Sequence, residues 1–203
     1  MELILIRHGE TLWNEEGRVQ GFSDIELSDV GLHQVQQLAL SLNNHQIQSV
    51  YSSPLIRALK TAQIINQYHN APIYLESGLM EMNLGDCEGL RFQDLMACEE
   101  DFWRGWRSDP ASVKMPNGES LIELQARAWK VIEGIIAKPE NALVVSHNFT
   151  IAAILCKIKN ISLSEFGSVC VEPASKTIIR FQDGSAFTEL FNDRGHLNSR
   201  HHL

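Results

Sequence analysis

Three places in the chain set a cationic or imidazole side chain at or just beyond the end of a candidate strand. Arg7-His8 follows Leu3 to Ile6, Arg57 follows Ser52-Ser53, and His147 follows Ala142 to Ser146. Four consecutive apolar residues, Leu3-Ile4-Leu5-Ile6, fit a strand covered on both faces, as in parallel α/β sheets. Ligands of open α/β sheets bind just beyond the carboxyl ends of the strands, so guanidinium and imidazole groups there are placed for an anion, and phosphate is the expected one. Any one of these residues alone reads as a surface group or a satisfied core histidine. Their repetition at one edge is what marks a site.

The elements that must position them alternate. After the first strand and a polar loop, Ser28 is an N-cap for a helix carrying Leu32, Val35, Leu38, Ala39 and Leu42 at helical spacing. Ser49 to Ser53 gives a second strand, and Pro54 suits the first turn of a helix with Leu55, Leu59, Ala62, Ile65 and Tyr68 on its face. Ile73 to Leu75 supplies a third strand. Ser120 and Glu123 form a capping-box pair opening a helix whose buried face is Leu124, Ala128, Val131 and Ile135. Ala142 to Ser146 is the fourth strand, followed by a helix near Phe149 to Lys157. Ser168 to Val171, Lys176 to Phe181 and Ala186 to Phe191 read as further strands, the last two joined across Asp183-Gly184, a hairpin signal. This order predicts an α/β fold, a three-layer αβα sandwich around a doubly wound, mostly parallel sheet with an antiparallel edge strand. Residues 91–117, with Phe102, Trp103 and Trp106 among charges, read as a small helical insertion over the site. Those aromatics either pack the insertion onto the sheet or touch substrate.

At 203 residues and 44% hydrophobic composition, the chain suffices for one full core, and residues 1–203 are expected to form a single domain with 91–117 as its lid. Seventeen basic against 25 acidic residues, a formal net charge of -8, argue against nucleic acid or an anionic membrane as partner and leave room for a small anionic substrate. Cys87, Cys98, Cys156 and Cys170 show no Cys-x-x-Cys spacing and read as reduced thiols. No leader precedes the first strand and no apolar run approaches the roughly 20 residues that span a membrane, so a soluble, cytoplasmic protein is expected. The terminal segment from Asn198 to Leu203, including His201 and His202, reads as a frayed end.

Taken in order, the motifs carry a family likeness. Arg7-His8-Gly9-Glu10-Thr11 with Trp13-Asn14, Ser52-Ser53 with Arg57-Ala58 and Thr61-Ala62, Glu81 before Gly85 and Glu88-Gly89, Pro116 to Ser120, Ser146-His147, and Asn192-Asp193 to His196-Leu197 together resemble the histidine phosphatase superfamily. Within it the chain is similar to short phosphatase-type members of the phosphoglycerate-mutase-like branch. The resemblance implies a metabolite phosphomonoesterase with His8 as nucleophile, forming a phosphohistidine that water then cleaves. It implies that backbone near Gly9 holds the second ring nitrogen of His8, that Arg7 and Arg57 clamp the phosphoryl oxygens, and that His147 adds a third donor, strengthened if cationic. Asn14 matches a family phosphate contact, with a plain turn-closing Asn as the other reading. Glu81 occupies the position of the general acid, while Glu76, Asp86 and Glu88 read as solvated or structural carboxylates. Gly9 keeps bulk from the phosphate or serves as a simple turn glycine. Glu10 belongs to the signature yet reads equally as support for the turn.

No cofactor is implied. Two histidines beside two arginines would repel a cation, and no His-x-x-x-His or carboxylate cluster accompanies them, so no metal is expected. Relatives mostly follow the second histidine with glycine; here Asn148-Phe149 stands in its place, and Asn148, whose type tolerates left-handed backbone, is expected beside the phosphate. Cys87 stands where relatives often carry an aromatic residue. The short insertion, with Arg91, Arg104 and Arg107 scattered, favours a phosphatase over a mutase, although Arg104 or Arg107 could supply a mutase's second anion site. A catalytically silent phosphate-binding protein is a further alternative, opposed by the presence of every residue the chemistry needs. α-Ribazole phosphate, phosphoserine, phosphoglycerate, another sugar phosphate or a broad range of esters all remain open as substrate. An exposed sheet edge near Ser168 to Val171 would allow a homodimer.

Overall fold

The computed structural model describes residues 1–98 and 100–198. The terminal His201 and His202 lie outside the described residues. The elements are β1 (Glu2–Arg7), α1 (Leu12–Glu15), α2 (Asp29–Leu42), β2 (Ser49–Ser52), α3 (Ile56–Asn66), β3 (Ile73–Leu75), α4 (Phe92–Ala97), α5 (Asp101–Ser108), α6 (Leu121–Ile136), β4 (Ala142–Ser146), α7 (Asn148–Lys159), β5 (Lys176–Gln182) and β6 (Ser185–Asp193), with short 3-10 turns between them. The strands form one sheet in the order β3-β2-β4-β1-β5-β6. The first four are mutually parallel, and β5 and β6 extend the sheet by antiparallel pairing. The expected α/β sandwich with an antiparallel edge is what the chain forms.

Alternation along β1 explains the three layers. Leu3 and Leu5 enter one core with α6 and α7, while Ile4 and Ile6 enter the other with α2 and α3, all four being essentially inaccessible. A strand that feeds two cores must be apolar at every position, which is why the run has no polar break. Ser28 caps α2 through Gly31 N–H, and Ser120 and Glu123 form the expected capping box on α6. The hairpin between β5 and β6 turns on Asp183 and Gly184, both at positive φ (51° and 75°), as a two-residue turn of that hand requires.

Three expectations are corrected. Ser168 to Val171 is no strand: a 3-10 turn spans Leu163–Val169 and the chain then runs on without sheet pairing, so the sheet edges are β3 and β6 and the dimer edge expected there does not exist. Pro54 lies outside α3, which starts at Ile56 behind an uncapped Leu55. The buried face of α3 is Arg57, Ala58, Thr61, Ala62 and Ile65, with Tyr68 exposed and beyond the helix. The apolar spacing from Leu55 gave a face rotated from the real one, because two of the buried positions are polar residues serving the site. Among the described residues, no helix is long and apolar enough to cross a membrane.

Candidate active site

β1 and β4 are neighbours, yet the helix that follows each lies on the opposite face of the sheet, α2 on one side and α7 on the other. This is the switch point at which a crevice opens outside the carboxyl ends. Arg7 pairs with Ser146 at the last rung, and His8 N–H continues the ladder to Ser146 C=O at 3.1 Å. His8 and His147 therefore leave adjacent strands side by side, with ring centroids 5.1 Å apart. A pocket of about 430 Å³ opens there, bordered by Arg7, His8, Asn14, Arg57, Glu81 and Asn148 at its inner end.

His8 is buried and its Nδ1 lies 2.7 Å from Gly9 C=O. A carbonyl only accepts, so the proton sits on Nδ1 and the Nε2 lone pair is left for other work. Burial, with Arg57 and Arg7 nearby, holds this imidazole well below the usual histidine range. His147 is wholly inaccessible and places Nε2 2.8 Å from Ser53 Oγ, with Nδ1 unpartnered. Burial and then Arg57 depress it as well, so both rings are neutral at pH 7 and a cationic His147 is not the resting form. A side chain at position 9 is excluded by packing: a Cβ there would lie 2.6 Å from Gly31 C=O oxygen and 2.7 Å from Val35 Cγ2. The close neighbour is therefore the first turn of α2.

Arg7 donates to Val171 C=O at 2.5 Å, and Arg57 donates to Ser23 C=O at 2.7 Å and Gly21 C=O at 2.8 Å. Carbonyls thus fix both guanidinium groups without neutralising them, and the Nε of each is buried with no partner. Desolvation lowers Arg57 to about 10 and lowers Arg7 too, with Glu81 opposing in both. A buried guanidinium, Arg57, and a half-buried one, Arg7, near two neutral imidazoles make a site whose unmet electrostatics ask for an anion.

Glu81 sits at the amino end of α7. Its Oε1 accepts from Met82 N–H at 2.9 Å, Thr150 N–H at 3.2 Å and Thr150 Oγ1, and its Oε2 from Phe149 N–H at 3.2 Å. Free helix N–H groups hold a carboxylate well. Asn148 has helical backbone, not a left-handed one, and its Oδ1 accepts from Val171 N–H, the residue whose carbonyl fixes Arg7. Asn14 closes a capping box with Thr11 on α1, the turn-closing geometry, while also lining the pocket. Glu10 acts through its backbone, its C=O accepting from Ser28 N–H at the start of α2.

Three residues carry work that sequence reasoning missed or left as structural. Glu88 accepts from Phe22 N–H, Ser23 N–H and Ser23 Oγ, fixing the loop whose carbonyls hold Arg57. Arg127 donates to Gly78, Met80 and Glu81 C=O and to both oxygens of Glu119, so every N–H of its guanidinium is engaged around the Glu81 segment. Thr61 accepts from Gly9 N–H and donates to Arg57 C=O. Arg127 lies two turns beyond Glu119 on an otherwise ordinary amphipathic helix, and that spacing is the one signal available. Arg91, Arg104 and Arg107 do not line the pocket; Arg107 donates to Met96 and Cys98 C=O, and Arg104 pairs with Asp101. Neither arginine considered for a second anion site borders this pocket.

Comparison with known proteins decides the family. The Histidine phosphatase superfamily (branch 1) matches residues 3–194. This chain belongs to that superfamily. Phosphoserine phosphatase 1 of Hydrogenobacter thermophilus is 32% identical over 185 residues, covering 90% of this chain and 88% of its own. Among solved structures, Bacillus stearothermophilus YhfR matches with a TM-score of 0.89 at 29% identity, covering 97% of this chain and 98% of its own. Phosphoserine phosphatase from Entamoeba histolytica, solved in complex with 3-phosphoglyceric acid, matches with a TM-score of 0.85 at 27% identity, covering 97% and 98%.

Proposed function

We propose that this protein is a phosphomonoesterase that works through a phosphohistidine on His8. The observation that carries the reading is the tautomer and charge of His8: neutral, Nδ1–H donated to Gly9 C=O, Nε2 free, with the guanidiniums of Arg7 and Arg57 beside it. In the first step the Nε2 lone pair forms a bond to phosphorus as the ester P–O bond breaks, and Glu81 donates a proton to the departing alcohol oxygen. Arg7 and Arg57 take the charge on the equatorial oxygens. The Ser53 hydroxyl already accepts from Leu55 N–H; by donating its own proton to His147 Nε2 it leaves Nδ1 of His147 as an N–H donor, the third for the phosphoryl group. In the second step Glu81, now a carboxylate, takes a proton from water as its oxygen attacks phosphorus and the P–N bond breaks, releasing phosphate. Asn14 and Asn148 complete the phosphate surroundings.

Support for water as the acceptor comes from the insertion. Residues 91–117 act as a lid on a single 1–203 domain, supplying Phe92 and Trp106 to the pocket while its arginines stay off the wall. Among the described residues no group of three or more His, Cys, Asp or Glu side chains is placed to hold a metal ion, and the guanidiniums disfavour one. We accordingly read the reaction as metal-independent. Its substrate is a small phosphorylated metabolite, and the four free cysteines suit the cytoplasm.

The test is hydrolysis of a chromogenic phosphomonoester with and without EDTA, by the protein and by His8→Ala. Cleavage is expected to persist in EDTA and to vanish in the variant. Loss of cleavage in EDTA would sink the metal-free mechanism, and full activity of His8→Ala would sink the nucleophile.

A further inference from the structure

Beyond the phosphate end, the pocket changes character. Trp106 from α5, Phe149 from α7 and Phe166 from the 163–169 turn meet in one aromatic wall, with ring centroids 6.1 Å (Trp106–Phe149), 5.7 Å (Trp106–Phe166) and 5.2 Å (Phe149–Phe166) apart. Val19 and Leu84 continue it, and Phe92 stands half-exposed at the mouth.

Several polar groups of the pocket are bound to the protein itself, while Gln20 Oε1, an uncharged acceptor, lines it without a partner. Glu81 is the single carboxylate among the lining residues, and both its oxygens accept from α7 or Met82. Arg18 is engaged by Glu16 and Gly89 C=O. Asn14 is bound to Thr11, and Asn148 Oδ1 to Val171 N–H. A ligand carrying an ammonium beside its phosphate would find no free carboxylate and would face Arg7 and Arg57.

Resting on the phosphatase reading, we propose that the site selects phosphomonoesters of alcohols bearing an aromatic ring, with the ring against Trp106, Phe149 and Phe166, and discriminates against amino-acid phosphates. The chemistry is a dianion at one end and a flat apolar group at the other. A pocket of about 430 Å³ holds both, since small-molecule sites span roughly 300–1,000 Å³. Aromatic walls from three separate elements are fixed by packing, so ring contact costs little reorganisation.

The measurement is kcat/KM for three primary-alcohol esters, 2-phenylethyl phosphate, ethyl phosphate and O-phosphoserine, whose similar leaving groups keep the comparison about the alcohol. 2-Phenylethyl phosphate is expected to exceed O-phosphoserine by about tenfold or more, the scale a hydrophobic pocket supplies. Phe149→Leu and Phe166→Leu, which keep an apolar side chain, should lower the 2-phenylethyl to ethyl ratio by roughly fivefold. Equal or higher kcat/KM for O-phosphoserine overturns this inference while leaving the phosphatase intact, and the wild-type comparison stands even if a variant fails to fold. Cleavage of none of the three esters, or cleavage undiminished in His8→Ala, overturns the phosphatase reading and this inference with it.

Discussion

His8 and His147 are both buried with ring centroids 5.1 Å apart, and burial beside Arg57 pushes both below the ordinary histidine range. Their ring-proton resonances are therefore expected to stay constant as pH is lowered from 8 to 6 in NMR titration, where an exposed histidine shifts with a midpoint near 6.5. Movement of the His8 resonance through that midpoint would mean the nucleophile rests protonated. Arg7 and His8 are legible in the sequence because the run before them has no polar residue, so the chain must leave a covered strand where they stand. His147 is legible for a similar reason, after Ala142 to Val145, whereas Arg57 lies one residue inside α3 behind a polar strand and is legible through the Ser52-Ser53 and Arg57-Ala58 motif. The bonding of Glu81 is not, since its donors come from Phe149 and Thr150, nearly 70 residues away, and nothing local in Met80-Glu81-Met82 announces them. Asn148 is the opposite case, an unexpected residue type whose helical backbone and bond to Val171 N–H show it joining two pieces of the site.

At the level of elements, α6 does two jobs: one side of the helix fills a core and Arg127 on the other grips the segment from Gly78 to Glu81. If Glu81 is the acid, loosening that grip matters most when the leaving alcohol needs its proton. Arg127→Ala is expected to reduce kcat/KM for an alkyl phosphate by about 10- to 100-fold and for p-nitrophenyl phosphate by less than about fivefold, with Arg127→Lys between them. Equal losses on both esters would assign Arg127 to general stability instead. The helices and parallel strands were readable because each carries its period over several turns or a full buried run. Ser168 to Val171 misled because a short β-branched run says nothing about a pairing partner, and the first strand's flank was already taken by β5. The buried face of α3 departs from its apolar spacing because Arg57 and Thr61 are buried at the site despite being polar.

For the whole molecule, buried neutral histidines set the response to acid. His196, packed near α2 and lowered to about 4 by burial and Lys176, binds a proton in the unfolded chain near pH 6.5 and in the folded one only near pH 4. Between those values the unfolded state holds more protons, so stability rises with pH, is complete above 6.5, and is lost progressively as pH falls towards 4. At pH 5 the loss from this residue is about 2 kcal/mol, and His8 and His147 act in the same direction. A melting temperature lower by about 5 °C or more at pH 5 than at pH 7.5 is expected by calorimetry, with a shallower dependence in His196→Asn; an unchanged melting temperature would contradict it. The tight turn at Asp183 and Gly184 has one more consequence. It borders Met1 and Pro139, at the end of the sheet where β1 begins, and so stands a full strand length from His8. Exposed and free of catalytic neighbours, that tip is where a fluorescent reporter or a surface-immobilising peptide could be spliced in, turning the enzyme into a tethered sensor with its mouth still facing solution.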